Sequence, residues 1–140
     1  MSIPVIYVAH PLGGDVAGNA ARARRWLRYL MDSEPDVAWC CPWLPFVDIG
    51  RGDDPDADEA YRDRCLRDDI AIAAKCDGIV LCGSVISTGM QLELVAVILA
   101  GGKVHNLVGL TDDGEPPSDP NVGAVMIGEN RWTTPKGSAE

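Results

Sequence analysis

A doubly wound parallel α/β sheet of four or five strands, with helices on both faces, is the fold this sequence predicts, as one domain over residues 1–140. Short apolar runs rich in β-branched residues alternate with longer stretches of helical pattern, the order strand, helix, strand, helix, strand, helix, strand. The polar residues with chemical potential fall in loops after strands or on helices beside them, and such sheets bind ligands at their C-terminal strand ends. At 140 residues the chain is long enough to bury a core without staples.

Ile3 to Ala9 (IPVIYVA) reads as the first strand, with Tyr7 as its only polar side chain. His10-Pro11-Leu12-Gly13-Gly14-Asp15 forms a loop into a helix over roughly Ala17 to Met31. A glycine pair here lets backbone N–H groups approach an anion. The Rossmann and Walker spacings are absent, and a plain βα turn explains the same residues. The helix carries Arg22, Arg24, Arg25 and Arg28, a solvated face that offsets acidity elsewhere and is assigned no catalytic role.

Val37 to Cys41 reads as the second strand, and Pro42 to Asp58 as a long irregular segment with three prolines. Its mixture of Trp43, Phe46, Pro and Asp suits either a wall over a cleft, able to stack on a planar base, or a surface loop tucked onto the core. Asp58 to Lys75 is a helix with acidic residues first and Lys75 last, in agreement with the helix dipole. Within it Asp69 shares a face with Cys65, Ile72 and Ala73 and points inward, whereas Asp68 neighbours Arg64 and suits a surface ion pair.

Gly78 to Cys82 is a strand buried on both faces, Gly83 to Thr88 a polar turn, and Gly89 to Ala100 a helix ended by Gly101-Gly102. That helix is apolar almost all round, which predicts protein rather than water about it. Glu93 interrupts it, on a face shared with Gly89, Met90, Ala96 and Val97. Burying an unpaired carboxylate costs several kcal/mol, so one placed here needs a reason. It either complements the helix dipole, or serves as an anionic nucleophile in a dry cleft. Val104 to Leu110 supplies a further strand, Thr111 to Pro120 a proline-rich loop, and Val125-Met126-Ile127 a short apolar run in the tail.

Composition excludes several classes. A net charge of −9 argues against a nucleic-acid polymer as partner, though not against a small phosphorylated ligand. No apolar run reaches the length of a membrane span, and Met1 to Pro4 has no signal-peptide character. Five cysteines without C-x-x-C spacing suit reduced thiols in the cytoplasm. The two histidines, His10 and His105, lie in no metal-ligand pattern, and neither a metal nor another cofactor is expected.

Three pieces, IYVAHPLGG, DIAIAAKCDGIVL and STGMQLE followed by an apolar run and GGK, resemble in order and spacing the nucleoside 2-deoxyribosyltransferase-like family, small flavodoxin-like enzymes that cleave N-glycosidic bonds. The resemblance runs from Tyr7 to about Val108. It implies that Glu93 is the nucleophile forming a covalent glycosyl ester, that Asp69 is the carboxylate beside sugar and base, and that Tyr7 orients the nucleophile. Retaining glycoside cleavage needs such a carboxylate pair, one ionised and one carrying a proton. Members acting on free nucleosides tend to have Asp six residues before the nucleophile; members resembling nucleoside 5′-monophosphate glycosidases have Ser, as Ser87 here. A hydroxyl can donate to a phosphate that a carboxylate would repel. Ser87 equally suits a helix N-cap.

The resemblance thus implies hydrolysis of a (deoxy)nucleoside 5′-monophosphate, with Ser87, Gly89, Gly13, Gly14 and His10 about the substrate. Base exchange between free deoxynucleosides and a non-catalytic nucleotide sensor are the alternatives. Gln91 stands where the family often has Gly, and His10 where it has a small residue. The family often borrows an Asn from a neighbouring subunit's C-terminal segment, for which Asn121 is the nearest candidate. A homodimer or larger homo-oligomer is therefore expected, as it is from the apolar helix and tail run.

Overall fold

The computed structural model describes residues 3–49 and 55–119. Its core is a four-stranded, all-parallel sheet in the order β2-β1-β3-β4, from β1 (Val5–Ala9), β2 (Ala38–Cys40), β3 (Gly78–Leu81) and β4 (Lys103–Asn106). This is a flavodoxin-like α/β arrangement, as the alternation of elements predicts. Tyr7 pairs with Cys40 on one side and with Ile79 on the other, so the two central strands are both covered and both apolar.

Side chains alternate between the faces with the period of a strand. Ile6, Val8, Val80 and Cys82 enter one core with Trp26, Tyr29 and Leu30 of α1 (Val16–Ser33). Tyr7, Ala9, Ile79 and Leu81 enter the other with Trp43 of α2 (Trp43–Ile49), Ala73 of α3 (Pro55–Ala73), and Met90 and Val97 of α4 (Thr88–Leu99). In α1 the buried positions recur every three or four residues, and Asp15 caps it by accepting from Gly18 N at 3.0 Å. The Trp26 indole donates to Gly114 O at 2.8 Å and meets Tyr29 edge-on, anchoring the segment after β4 over α1.

The arginines of α1 form ion pairs. Arg22 and Arg25 both hold Glu115, at 2.9 and 2.7 Å, and Arg28 holds Asp32 within the helix. On α3, Asp68 pairs with Arg67 and Arg64 at the surface, while Asp69 next to it is buried, as their neighbours predict.

Two expectations are corrected. The segment from Pro42 to Asp58 is not wholly irregular: Trp43 to Ile49 is a helix, and α3 begins at Pro55. Proline is compatible with a first helical turn, where its missing N–H has no intrahelical partner to lose. The last strand ends at Asn106, after which Leu107 to Leu110 turns. The outer face of α4 is open in the single chain, with Leu92, Val95 and Ile98 about half exposed and Leu99 82% exposed. Asn121 and Val125-Met126-Ile127 lie outside the described residues. No helix among the described residues is long and apolar enough to cross a membrane.

Candidate active site

A cavity of about 490 Å³ opens where the chain leaves β1 and β3, the point at which the strand order reverses. In sheets of this kind that reversal parts the loops and leaves a crevice. The loop after β1 contributes His10, Leu12 and Gly13; α2 contributes Trp43, Phe46 and Val47; α3 contributes Tyr61, Arg62, Cys65, Leu66 and Asp69; and the start of α4 contributes Ser87, Gly89 and Glu93.

Gly83 is what lets the first loop meet the end of β3. Its φ is +101°, and a Cβ there would stand 2.9 Å from Pro11 Cδ and 3.1 Å from the His10 ring. Any other residue would be strained and would push the loop away. Ser87 follows as the N-cap of α4, its hydroxyl oxygen accepting from Met90 N at 3.3 Å. The cap leaves the Ser87 O–H free to donate, so the structural and ligand-binding roles of this residue are compatible. The buried stripe of α4 is Met90, Glu93 and Val97, which carries a carboxylate into the cavity floor one turn inside the helix.

Glu93 is 6% exposed, and the Tyr7 hydroxyl, fully buried, donates to its Oε2. Burial raises the Glu93 carboxyl to about 7, and the Tyr7 hydrogen bond opposes that rise by favouring the anion. Burial and the nearby Glu93 and Asp69 carboxyls hold the Tyr7 hydroxyl protonated far above the ordinary tyrosine value, so it remains a donor. Asp69 is equally buried; burial first, and then the charge of Glu93, raise it to about 8. Its Oδ1 has no hydrogen-bond partner among the described residues. Two carboxyls thus share one cavity, and the one with the higher pKa is also the one that lacks a donor. Near neutral pH this pair can hold one proton on Asp69 and a charge on Glu93.

His10 Nδ1 lies 2.7 Å from Pro11 O, and because a carbonyl only accepts, Nδ1 carries the proton. Burial lowers the His10 pKa. It is a neutral imidazole with a buried, unpaired Nε2 lone pair, suited to accept from a hydroxyl rather than to pair with an anion. Of the glycine pair only Gly13 lines the cavity; Gly14, with φ of +87°, makes the turn. The residues the structure brings together are therefore Glu93, Asp69, Ser87, Gly89, Gly13 and His10 around the cavity, with Tyr7 behind Glu93. Asn121 lies outside the described residues.

The cavity wall adds residues that the sequence reading did not single out as a site: Tyr61, Arg62, Cys65 and Leu66 on one face of α3, opposite Trp43 and Phe46. The Tyr61 hydroxyl donates to Phe46 O at 2.7 Å and fastens the two helices to each other. The spacings 43, 46, 47 and 61, 65, 69 are helical, and this was the available signal.

These features define a doubly wound α/β domain with a paired-carboxylate cleft at its switch point. The chain belongs to the family described as a domain of unknown function, DUF7768, whose model matches residues 4–106 and so spans β1 to β4 with Tyr7, Asp69 and Glu93 inside it. No curated protein matches the chain.

Proposed function

We propose that this protein hydrolyses the N-glycosidic bond of a (deoxy)nucleoside 5′-monophosphate through a covalent glycosyl-Glu93 intermediate. The observation that carries the reading is the buried Tyr7–Glu93 hydrogen bond beside the buried Asp69, whose Oδ1 has no partner among the described residues, at one apolar-walled cavity. Glu93 attacks the anomeric carbon, and the C–N bond breaks with its electron pair passing to the base, which takes the proton of Asp69. Water then attacks the same carbon, giving its proton to Asp69 and releasing Glu93. Tyr7 steadies the carboxylate throughout without losing its own proton. Trp43 and Phe46 provide a wall for a planar base, and the N–H groups at the start of α4 with the Ser87 hydroxyl provide a seat for phosphate. The cytoplasm, where nucleotides are abundant and thiols stay reduced, is the setting we assign it.

Incubation with nucleoside 5′-monophosphates and chromatography for free base is the direct test. Base release that is faster from the phosphorylated substrate supports the proposal. Exchange of an added free base into product would make the protein a transferase. Calorimetric binding without base release would make it a sensor.

Ser87 gives a sharper check, because Asp is also a good N-cap and Ser87→Asp should leave α4 intact. The introduced carboxylate should lower kcat/KM for the phosphorylated substrate by more than about tenfold, since roughly 1.4 kcal/mol of repulsion already suffices. Equal or better turnover of the free nucleoside by the wild type, or an unchanged kcat/KM for the phosphorylated substrate in Ser87→Asp, would remove the phosphate from the proposal.

We also propose a dimer or larger assembly that covers the outer face of α4. Leu92, Val95, Ile98 and Leu99 make an apolar strip of the kind that soluble single chains rarely leave in water. Light scattering at micromolar concentration should give at least twice the chain mass, and Ile98→Glu should return it to monomer. A wild-type monomer would refute this assembly.

A further inference from the structure

We propose that Arg62, on the α3 wall of the cavity, is the specificity-determining counter-charge for the ligand's phosphate, holding it against the N-terminus of α4. This rests on the phosphorylated ligand proposed above. Three charged side chains line the cavity: the acids Asp69 and Glu93 and the base Arg62. In a chain of net charge −9, a phosphate entering beside a charged Glu93 is repelled unless a cation or aimed dipoles offset it. Other arginines are ion-paired elsewhere: Arg22 and Arg25 on Glu115, Arg28 on Asp32, Arg64 and Arg67 on Asp68. None of those five lines the cavity.

The placement follows from how α3 and α4 run. On an all-parallel sheet, α3 leads into β3 and α4 leads out of it, so the two helices point the same way and pack on each other. Their residues step together. Asp69 and Glu93 both line the cavity, and one turn earlier Leu66 Cδ1 lies 3.8 Å from where a Cβ on Gly89 would stand. The next step back along that stripe of α3 is Arg62, four residues from Leu66 and on the same face. The next step back on α4 reaches Thr88 and the N-cap Ser87. Arg62 is thus beside the first turn of α4, where Ser87 Oγ takes only the N–H of Met90 and the other N–H groups have no intrahelical partner.

The same helix separates phosphate from base. Tyr61 faces α2, because its hydroxyl donates to Phe46 O at 2.7 Å, whereas Leu66 faces α4. Arg62 shares the Leu66 face, so its guanidinium serves the α4 side of the cavity rather than the aromatic wall. Asp69, buried with its Oδ1 unpartnered among the described residues, marks the interior of this cavity as a place for a polar ligand. A guanidinium presents its N–H donors as a planar fork that fits two phosphate oxygens at once, and the Ser87 O–H and the α4 dipole complete the seat. Arg62 is exposed, so its substitution leaves the core untouched.

The experiment measures equilibrium binding by calorimetry, with displacement titration where binding is weak, and so needs no turnover. The probes are the nucleoside 5′-monophosphates of each base, ribo and deoxy, and the matching free nucleosides, on the full chain. Arg62→Gln should weaken monophosphate binding by more than about tenfold and leave the free nucleoside unchanged. Arg62→Lys should recover only part of the loss, because a point charge replaces the fork. Arg64→Gln makes the same change of net charge on the same helix, outside the cavity, and should weaken the monophosphate far less. Gln is a good helix former, and should Arg62→Gln nonetheless fail to fold, Arg62→Lys decides by the same ratio. Equal weakening of monophosphate and nucleoside would move Arg62 to the base or sugar and overturn the inference. Equal effects of Arg62→Gln and Arg64→Gln, or unchanged monophosphate binding in Arg62→Gln, would overturn it and leave the proposed reaction standing. A phosphate-selective loss in a protein that releases no base would support Arg62 and sink the reaction instead. A wild type that binds no monophosphate would overturn both.

Discussion

If the proposed reaction holds, Glu93→Ala should release base at least about a thousandfold more slowly than the wild type, because it removes both the proposed nucleophile and the charge facing an oxocarbenium-like transition state. Nucleotide affinity should change only modestly, since the wall and the α4 N-terminus are untouched. The substitution strands the Tyr7 hydroxyl, buried and without its acceptor, at a cost of about 1–3 kcal/mol. Glu93→Gln is therefore the cleaner variant: its amide oxygen still accepts from Tyr7, but it cannot form the ester. Both variants should be inactive while only Ala loses the hydrogen bond. Asp69→Asn should differ from both, slowing substrates with poorly leaving bases more than those with good ones. Mass spectrometry of a quenched reaction should place the glycosyl adduct on the peptide containing Glu93. Turnover surviving in Glu93→Gln, or an adduct elsewhere, would sink the covalent mechanism.

The three residues at the heart of that mechanism were legible in the sequence for one physical reason. Each breaks an apolar pattern: Tyr7 within a buried strand, Asp69 ahead of Ile70-Ala71-Ile72-Ala73, and Glu93 inside the apolar α4. A polar group on a buried face needs a partner, so the pattern foretold burial, and the fold supplied the company. The sheet was legible because its central strands, covered on both faces, are unbroken apolar runs. What the sequence concealed was α2. Pro42, Pro45 and the acidic residues around it read as loop, although Trp43, Phe46 and Val47 carry a helical spacing. The aromatic wall could be proposed from composition, but its partners on α3 could not, because their nearness is tertiary. The all-apolar α4 indicates a dry environment but not whether the same chain provides it, and its outer face is open in the single chain.

Stability should fall as pH rises from about 4.5 to 8, the reverse of the usual behaviour of native carboxylates. The sign follows from the two buried acids. Glu93 titrates at about 7 in the folded protein against an ordinary value of 4.5, and Asp69 at about 8 against 3.8. In that window the folded state holds protons that the unfolded chain has released, so each step up in pH favours unfolding. The contribution is fully present below the unfolded values and is lost as pH passes the folded ones. For Glu93 the loss amounts to roughly 3 kcal/mol, at about 1.4 kcal/mol for each pKa unit. Asp69 extends the decline toward pH 8. A chain of net charge −9 also repels itself more as pH rises, so the wild-type slope alone would be ambiguous. Urea midpoints followed by tryptophan fluorescence should therefore be compared between wild type and Glu93→Gln across the same pH range. The general repulsion is common to both and cancels, whereas the Glu93 titration is present only in the wild type. The variant should be more stable than the wild type at pH 8, and the gap should close toward pH 5. Parallel curves would mean that Glu93 titrates at its ordinary value, and the raised, buried carboxyl on which the shared-proton pair rests would be lost.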